Sequence, residues 1–402
     1  MRVAKVAIVG AGPAGGSAAV WLAERGVDVT LIEASHNTSI NGQAVTFGPQ
    51  MHRGIHELGL LEEMVSRGNN FDGVAADVEP GGETRAAKSE PMVPGVRPML
   101  TMRRQELHEL LVERAQRAGA RYLLGVSFES LRDLGDAIEI TLSDGQVERY
   151  DLLIGADGIR SKVRGFIAPE VEVEPLPQGA YRAVVDDVTR DDHPGLSYMG
   201  SRDDYMCGYI ELYGGLTYVT IAYNHEEERI AHADVPRRMR EILAPELGEM
   251  ARLRDLVTDE LADIPGRVSF RKMETVMVDG PWHRGRVVLV GDAAHGTTPN
   301  LGLGAGSAME DVLVLMRKLA DDSPKTLDRL LEDYSNERLA RILVVNRNSA
   351  RLCRLQCEHG SNSPVLLEEY AKAAAEFDAT VSPTGSSAYV DVFADFRDSD
   401  AA

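Results

Sequence analysis

The stretch "KVAIVGAGPAGGSAAVWLAERGVDVTLIE", Lys5 to Glu33, decides the fold. Its apolar start reads as a buried strand, "PAGGSAAVWLAERG" as a helix closed by Gly26, and "VDVTLIEAS" as a second strand. That succession is a βαβ unit. In Gly10-Ala11-Gly12-Pro13-Ala14-Gly15, Gly10 permits a tight turn, Gly12 lets a pyrophosphate approach the backbone, and Gly15 lets the helix pack closely. The helix N-terminus stabilises the anion, and Glu33 stands where it accepts hydrogen bonds from a ribose. A dinucleotide is therefore expected, though this motif alone does not separate NAD from FAD.

Outward from this unit, "GPQMHRGIHELGLLEEMVSRG" is helical and punctuated by Gly59 and Gly68, and residues 71–99 form a strand-and-loop excursion. "RRQELHELLVERAQRAG" has one apolar face made by Leu107, Leu110, Leu111 and Ala115. The stretch from "YLLGVSFESL" to "YDLLIGADG" alternates like antiparallel strands around an Asp144-Gly145 turn and ends in a buried strand, Leu152 to Ile154. "GAYRAVVDDV", "YMCGYIELYGG" and "LTYVTIAYN" then read as a second, β-rich domain, with "VPRRMREILAP" and "EMARLRDLV" as its helices. After Gly306, "SAMEDVLVLMRKLADD" is helical, and a long helical segment runs from about Lys325 to Cys357. The acidic, polar end of the last stretch, "SPTGSSAYVDVFADFRDSDAA", is expected to fray.

At 402 residues the chain exceeds what one core usually serves. A net charge of -20 opposes nucleic-acid binding, which needs clustered Lys and Arg. Three cysteines are too few for a disulfide framework and suit a reducing, cytoplasmic setting. No secretory signal and no integral membrane segment is expected.

Two further strands end in Gly and Asp. "YDLLIGADGIRSKVR" runs into Gly155, Asp157 and Gly158; "VVLVGDAAHGTTPNLGLGAG", Val287 to Gly306, runs into Gly291 and Asp292 and then a loop with Pro299, Gly302, Leu303 and Gly304. Asp292 suits polyol hydroxyls, and the loop would let a flat ring lie against backbone N–H groups at a helix start, where negative charge on a reduced ring is favoured. For each site taken singly, a turn with a helix cap explains Gly-Asp equally well.

The three motifs, in this order from about Lys5 to Arg338, resemble the FAD-dependent monooxygenases of the aromatic hydroxylase type, related to para-hydroxybenzoate and salicylate hydroxylases and to tetracycline-inactivating monooxygenases. The resemblance implies an α/β fold. A Rossmann-like FAD-binding domain (1–70, 100–175 and 278–322) would carry an inserted β-sheet substrate domain (71–99 and 176–277) and a C-terminal helical segment and tail (323–402). It implies tightly bound, non-covalent FAD, with Gly10, Gly12, Pro13, Ala14, Gly15 and Glu33 on the ADP half. Arg104 would lie near the pyrophosphate and ribityl region, Asp157 and Gly158 in the Asp-Gly motif, Gly291 and Asp292 on the ribityl chain, and Pro299, Gly302, Leu303 and Gly304 beside the isoalloxazine.

The activity implied is NAD(P)H- and O2-dependent hydroxylation of an aromatic or polyketide-like phenolic substrate through a C4a-hydroperoxyflavin, by a monomer or homodimer. The alternatives are an FAD oxidoreductase of the same fold acting on a carbon–carbon bond without oxygen transfer, an NAD-dependent dehydrogenase, and a noncatalytic flavin-binding regulator. Two departures stand out: Leu303 occupies the middle of a loop that often reads Gly-Gln-Gly, and the neighbourhood of Thr38 and Ser39 replaces an arginine many relatives carry before "GQAVTFG".

Because the flavin activates oxygen, no side-chain nucleophile is required. Substrate-side candidates are Gln43 and Thr46, Arg182, and the alternating Tyr209, Glu211 and Tyr213; each is more often structural. His295 is a candidate base, with packing the commoner role for such a position. Cys353, Cys357 and His359 share part of a helical spacing, but core and surface roles outweigh metal binding, and no metal is expected.

Overall fold

The computed structural model describes residues 3–36, 44–187, 195–225 and 230–380. The opening βαβ unit is present as strand Lys5–Val9, helix Pro13–Ala23 and strand Asp28–Glu33. Lys5–Val9 is apolar on both faces because it is central in a parallel sheet and is covered from both sides. That six-stranded sheet has the order His283–Arg284, Val287–Leu289, Leu152–Gly155, Lys5–Val9, Asp28–Glu33, Arg121–Leu124; only the first pair is antiparallel.

Arg121–Leu124 corrects the sequence reading. The stretch joins the parallel sheet beside Asp28–Glu33, and only Phe128–Asp133, Ile138–Leu142 and Val147–Tyr150 form the antiparallel meander. Short strands cannot be assigned to a sheet by alternation, because pairing partners are nonlocal. The meander contributes Ile138, Ile140 and Leu142 to the same core as Val6, Ile8, Leu31, Leu153 and Val288.

Gly73–Asp77 and Arg85–Lys88, from the 71–99 excursion, join Leu196–Ser201, Tyr205–Leu212, Leu216–Tyr223, Glu174–Asp186 and Val268–Thr275 in a seven-stranded sheet. One face carries Tyr181, Ala183, Val185, Tyr205, Cys207, Tyr209, Val219 and Ile221, packed on helices Val235–Ile242 and Gly248–Leu256. The other face carries Val184, Leu212 and Tyr218, which pack with Ala44 at the start of strand Ala44–Phe47. That strand pairs with Met99–Arg103, which leads directly into helix Arg104–Arg117. The second face is thereby turned toward the dinucleotide-type sheet.

Helix Gly304–Leu319 begins three residues before the apolar pattern suggested and is buried along most of its length. Helix Leu327–His359, 33 residues and so roughly 50 Å long, packs on that helix and on the seven-stranded sheet. A further helix, Pro364–Asp378, lies where the sequence reading placed no element; Ser363 caps it, and Leu366, Tyr370 and Phe377 are buried. A run of side-chain hydrogen bonds links the glycine loop to the second sheet. Asn300 donates to Gln356, Gln356 and Asn224 both donate to Ser361, and Gln178 donates to Asn224.

Candidate functional site

The carboxyl ends of Val287–Leu289, Leu152–Gly155, Lys5–Val9 and Asp28–Glu33 are neighbours in one sheet, so the three glycine motifs and Glu33 open on one edge. Backbone bonds lock the ends together: Gly10 N–H donates to Ile32 O, Ala156 N–H to Val9 O, and Val290 N–H to Gly155 O, at 2.7, 2.8 and 3.0 Å. The glycines have distinct duties. Gly10 has φ +100°, and a Cβ there would lie 2.3 Å from Ala156 O; a Cβ on Gly15 would lie 1.8 Å from Gly10 O. Gly12, by contrast, faces open space with nothing within 4 Å of a Cβ position, at the N-terminus of helix Pro13–Ala23, with Pro13 at its first turn and Ala14 buried behind. Free backbone N–H groups at a helix start, fronted by open space, form a cradle for a phosphate.

Glu33 is half-buried and accepts from Ala11 N–H at 3.0 Å and Ser35 N–H at 2.9 Å, which leaves lone pairs free for hydroxyls. Asp157 behaves differently from the sequence expectation of a ligand-facing acid. It accepts from Ser161 Oγ, Lys162 N–H and Val163 N–H, and so closes the turn that carries it. Burial raises its pKa, and these bonds oppose the rise. Gly158, at φ +75°, is the member of this motif that faces open space. Arg164, the first residue of the short helix Arg164–Ile167, is buried and donates to Ala293 O at 3.0 Å, which ties this motif to the next.

Gly291 (φ +60°) starts the short helix Asp292–His295. Asp292 is exposed on the edge, and its charge acts on the Arg104 guanidinium, as do Arg182, Tyr218 and Arg271 of the seven-stranded sheet. Arg104 is hemmed in by protein yet keeps part of its surface open to solvent, as a side chain in a cleft wall does. Burial pulls its pKa down; Asp292 opposes this, and Arg182 and Arg271 add to the depression. In the loop that follows, Pro299 and Gly302 are exposed, Gly302 has φ +65° with open space before it, and Gly304 begins the buried helix. Leu303 is 2% exposed, its side chain in the core. A glutamine's loss there therefore costs the exposed face nothing. Thr297 Oγ1 and Thr298 Oγ1 are buried beside this loop and lack a partner among the described residues.

His295 lies behind the loop and not on the edge. It is 3% exposed, stacks near Trp282 with ring centroids 5.0 Å apart, and its Nε2 is 2.5 Å from Asp311. Asp311, fully buried, also accepts Gly291 N–H at 2.8 Å and Arg338 Nε at 2.7 Å, while Arg338 pairs with Glu310 at 3.0 Å. This buried cluster fixes the turn that presents Asp292. Sequence reasoning missed Asp311 because two adjacent acids, Glu310 and Asp311, inside an otherwise apolar helix carry no local signature of a buried ion pair.

Tyr209, Glu211 and Tyr213 do not form the site. Tyr209 belongs to the core on the far face, Glu211 is exposed, and Tyr213 lies beyond the strand in a turn, 59% exposed. Alternation correctly pairs positions on a face but cannot say which face is turned to the site. The inward face is the even-numbered one, with Arg182, Val184, Tyr218 and Thr220; Arg182 is opposite Thr220, and Val184 opposite Tyr218. Thr46 Oγ1 is 2.7 Å from Thr101 Oγ1, and Gln43, Thr38 and Ser39 lie outside the described residues. Cys353 and Cys357 donate to Gln178 and to Pro177 O, in the seam between the long helix and the sheet.

The residues on this edge suit an extended dinucleotide with a polyol and a flat ring: an anion cradle at Gly12, an acid at Glu33, an exposed acid at Asp292 and a glycine loop. Known proteins point the same way. The 2-heptyl-3-hydroxy-4(1H)-quinolone synthase of Pseudomonas aeruginosa is 31% identical over 360 residues, covering 87% of this chain and 89% of that one. The salicylate hydroxylase of Pseudomonas putida is 29% identical over 374 residues, covering 86% and 84%. In fold, the chain is similar to an HpxO variant of Klebsiella pneumoniae complexed with FAD, with a TM-score of 0.77 and 20% identity over 92% of this chain and 94% of that one. Residues 3–349 match the FAD binding domain family, and the chain belongs to that family as an FAD-dependent monooxygenase.

Proposed function

We propose that the chain hydroxylates a planar aromatic or polyketide-like phenolic substrate, using NAD(P)H and O2 with tightly held, non-covalent FAD. The observation that carries this reading is the adjacency of three glycine-bearing strand ends on one sheet edge, faced by the inner surface of a second sheet. The FAD-binding unit comprises 1–70, 100–175 and 278–322, and the substrate unit 71–99 and 176–277. The overall stoichiometry is substrate–H + O2 + NAD(P)H + H⁺ giving substrate–OH + H2O + NAD(P)⁺. When bound, FAD supplies hydride acceptance from NAD(P)H and activation of O2.

The chain's own residues bind, orient and exclude water. The N-terminus of helix Pro13–Ala23 holds the pyrophosphate, Glu33 the adenosine ribose and Asp292 the polyol, with Arg104 beside it. Asp157 shapes the turn that offers Gly158, and the backbone from Pro299 to Gly304 receives the ring. Val184, Leu212 and Tyr218 form an apolar lid over the reacting face, which suits a reaction that water would divert. A planar substrate also fits the relatives named for quinolone and salicylate chemistry.

The test has two stages. Purified protein should be yellow, or become so with FAD. NAD(P)H oxidation should then be stimulated by members of a panel of phenols, N-heteroaromatics and polyketide scaffolds, with products that gain one oxygen atom from labelled O2. Protein that stays colourless with added FAD, or that turns over anaerobically without oxygen transfer, would overturn the reading.

A further inference from the structure

Ala11, the second residue of the first glycine motif, is fully buried and is held from both sides. Its N–H donates to Glu33 Oε2 at 3.0 Å, and its carbonyl oxygen lies 2.8 Å from Nδ1 of His108, a buried residue of helix Arg104–Arg117. A carbonyl can only accept, so Nδ1 carries the proton of this imidazole. In the neutral ring Nε2 is then bare, and the Tyr122 hydroxyl, on strand Arg121–Leu124, donates to it at 3.3 Å. Burial, helped by the charge of Glu33, pushes the Tyr122 phenol up to about 12, so this donor keeps its proton at neutral pH.

The helix that carries His108 is fixed against the motif. Leu111, three residues on and so on the same side of the helix, packs so closely on Gly16 that a Cβ there would lie 2.8 Å from the Leu111 Cβ. His108 thus meets the turn from a set position. Tyr122 is set by sheet register, opposite Leu31 and two residues short of the Glu33 level.

Ala11–Gly12 is a trans peptide, so its C=O and N–H point in opposite directions. With the carbonyl drawn inward to His108, the Gly12 N–H aims outward, into the open space before helix Pro13–Ala23. Gly12 itself does little to hold this plane, because glycine adopts positive and negative φ about equally well. Without His108 the peptide is free to turn over. An acceptor would then face the phosphate in place of a donor.

We propose that His108, oriented by Tyr122, is a positioning residue for the cofactor: it fixes the Ala11–Gly12 peptide so that Gly12 N–H is presented to the FAD pyrophosphate, while Glu33 fixes the other side of Ala11 and takes the ribose. This rests on the reading of that helix start as the seat of the pyrophosphate. The ribose and the phosphates of the ADP half are then recognised through the backbone of a single residue, and neither His108 nor Tyr122 needs to touch the ligand.

The test is titration of full-length, FAD-free protein with FAD, followed by flavin fluorescence, beside the melting temperature of each FAD-free variant. ADP in competition with FAD reads the same turn without the flavin. His108→Leu should weaken FAD and ADP alike, roughly 10- to 30-fold, the range for a buried carbonyl left without its donor. His108→Asn, whose Nδ2 takes the place of Nδ1, should stay within about threefold of the wild type. Tyr122→Phe, which releases the ring to take its other tautomer, should lose about 3- to 5-fold. A residue that only supports the fold would lower the melting temperature, leave the affinity of the folded protein unchanged, and show no rescue by Asn.

Wild-type affinity in His108→Leu, or an Asn variant that folds and binds as weakly as the Leu variant, would overturn the role of His108. Should His108→Leu not fold, the conservative variants decide alone: a loss beyond about tenfold in His108→Asn, or unchanged affinity in Tyr122→Phe, overturns it. Wild-type protein that binds neither FAD nor ADP would overturn the placement of the pyrophosphate and the positioning role with it. FAD binding that ignores all three substitutions counts against the positioning role alone.

Discussion

Replacing Asp311 by Asn should loosen the turn that presents Asp292 and cost about 3 kcal/mol of stability. The carboxylate is fully buried and accepts three bonds: Gly291 N–H and His295 on Oδ2, Arg338 on Oδ1. An amide cannot serve both sides. With its NH2 toward Arg338 it confronts a donor, and with its NH2 toward Gly291 it confronts another. Breaking a buried ion pair typically costs 3–5 kcal/mol, and the remaining Glu310 partner of Arg338, at 3.0 Å, argues for the lower end. With a urea slope of about 3 kcal/mol per M, the midpoint should fall by about 1 M.

Trp282 reports the event locally, since it is buried with its ring 5.0 Å from His295 and 5.9 Å from Tyr334. The pH dependence has a definite sign. Burial by itself would raise the Asp311 pKa, but His295 and Arg338 together hold it below the ordinary carboxylate value of 3.8. A depressed acid stabilises the fold above its unfolded pKa, and this contribution is lost as pH falls through the folded one. The gap between wild type and Asp311→Asn should therefore be constant from pH 6 to 8 and shrink below about pH 4. A gap under about 1 kcal/mol, or one that persists unchanged in acid, would refute the role given to this cluster.

Three other outcomes follow from the same geometry. Gly12→Ala, whose Cβ meets open space, should leave the melting temperature of the FAD-free protein unchanged and weaken FAD on the order of 100-fold, read by fluorescence titration; Gly15→Ala should instead unfold the FAD-free protein more easily, because its Cβ strikes Gly10 O. Asp292→Ala should be neutral for the FAD-free fold and weaken FAD about tenfold, as expected for lost hydrogen bonds to a polyol; an equally strong destabilisation without FAD would make Asp292 a structural residue. Leu303→Gln, which restores the commoner residue of the loop, should destabilise by about 1–3 kcal/mol in chemical denaturation, since it carries an amide into the core; an unchanged midpoint would show that this side chain can turn outward.

The glycine motifs were legible in part because some of their glycines answer a steric demand that no other residue meets, as Gly10, Gly15 and Gly291 show directly; Gly12 answers instead to the open space in front of it. Glu33 was legible through its distance from the turn. Tyr209 was named, and Thr220 and Tyr218 were not, because a strand's period of two defines two faces without orienting them; only the helices stacked on Tyr209 show which face is turned away from the parallel sheet. Arg182 was named, but its cross-strand neighbour Ser269, 87 positions away, becomes adjacent to it only through sheet register. At Asp157 the carboxylate serves its own turn, and the adjacent Gly158 faces outward, an arrangement that the sequence motif alone does not show.

The hydrogen-bonded run from Asn300 through Gln356, Ser361 and Asn224 to Gln178 bears on how such a protein can be re-engineered. It acts as a strut between the loop proposed to receive the ring and the sheet that covers it. A sheet transplanted from a relative would arrive without its matching anchor unless the segment around Gln356 and Ser361 came with it. New substrate preferences are therefore more readily obtained by exchanging side chains on a fixed platform, Arg182, Val184 and Tyr218 first, than by grafting whole strands.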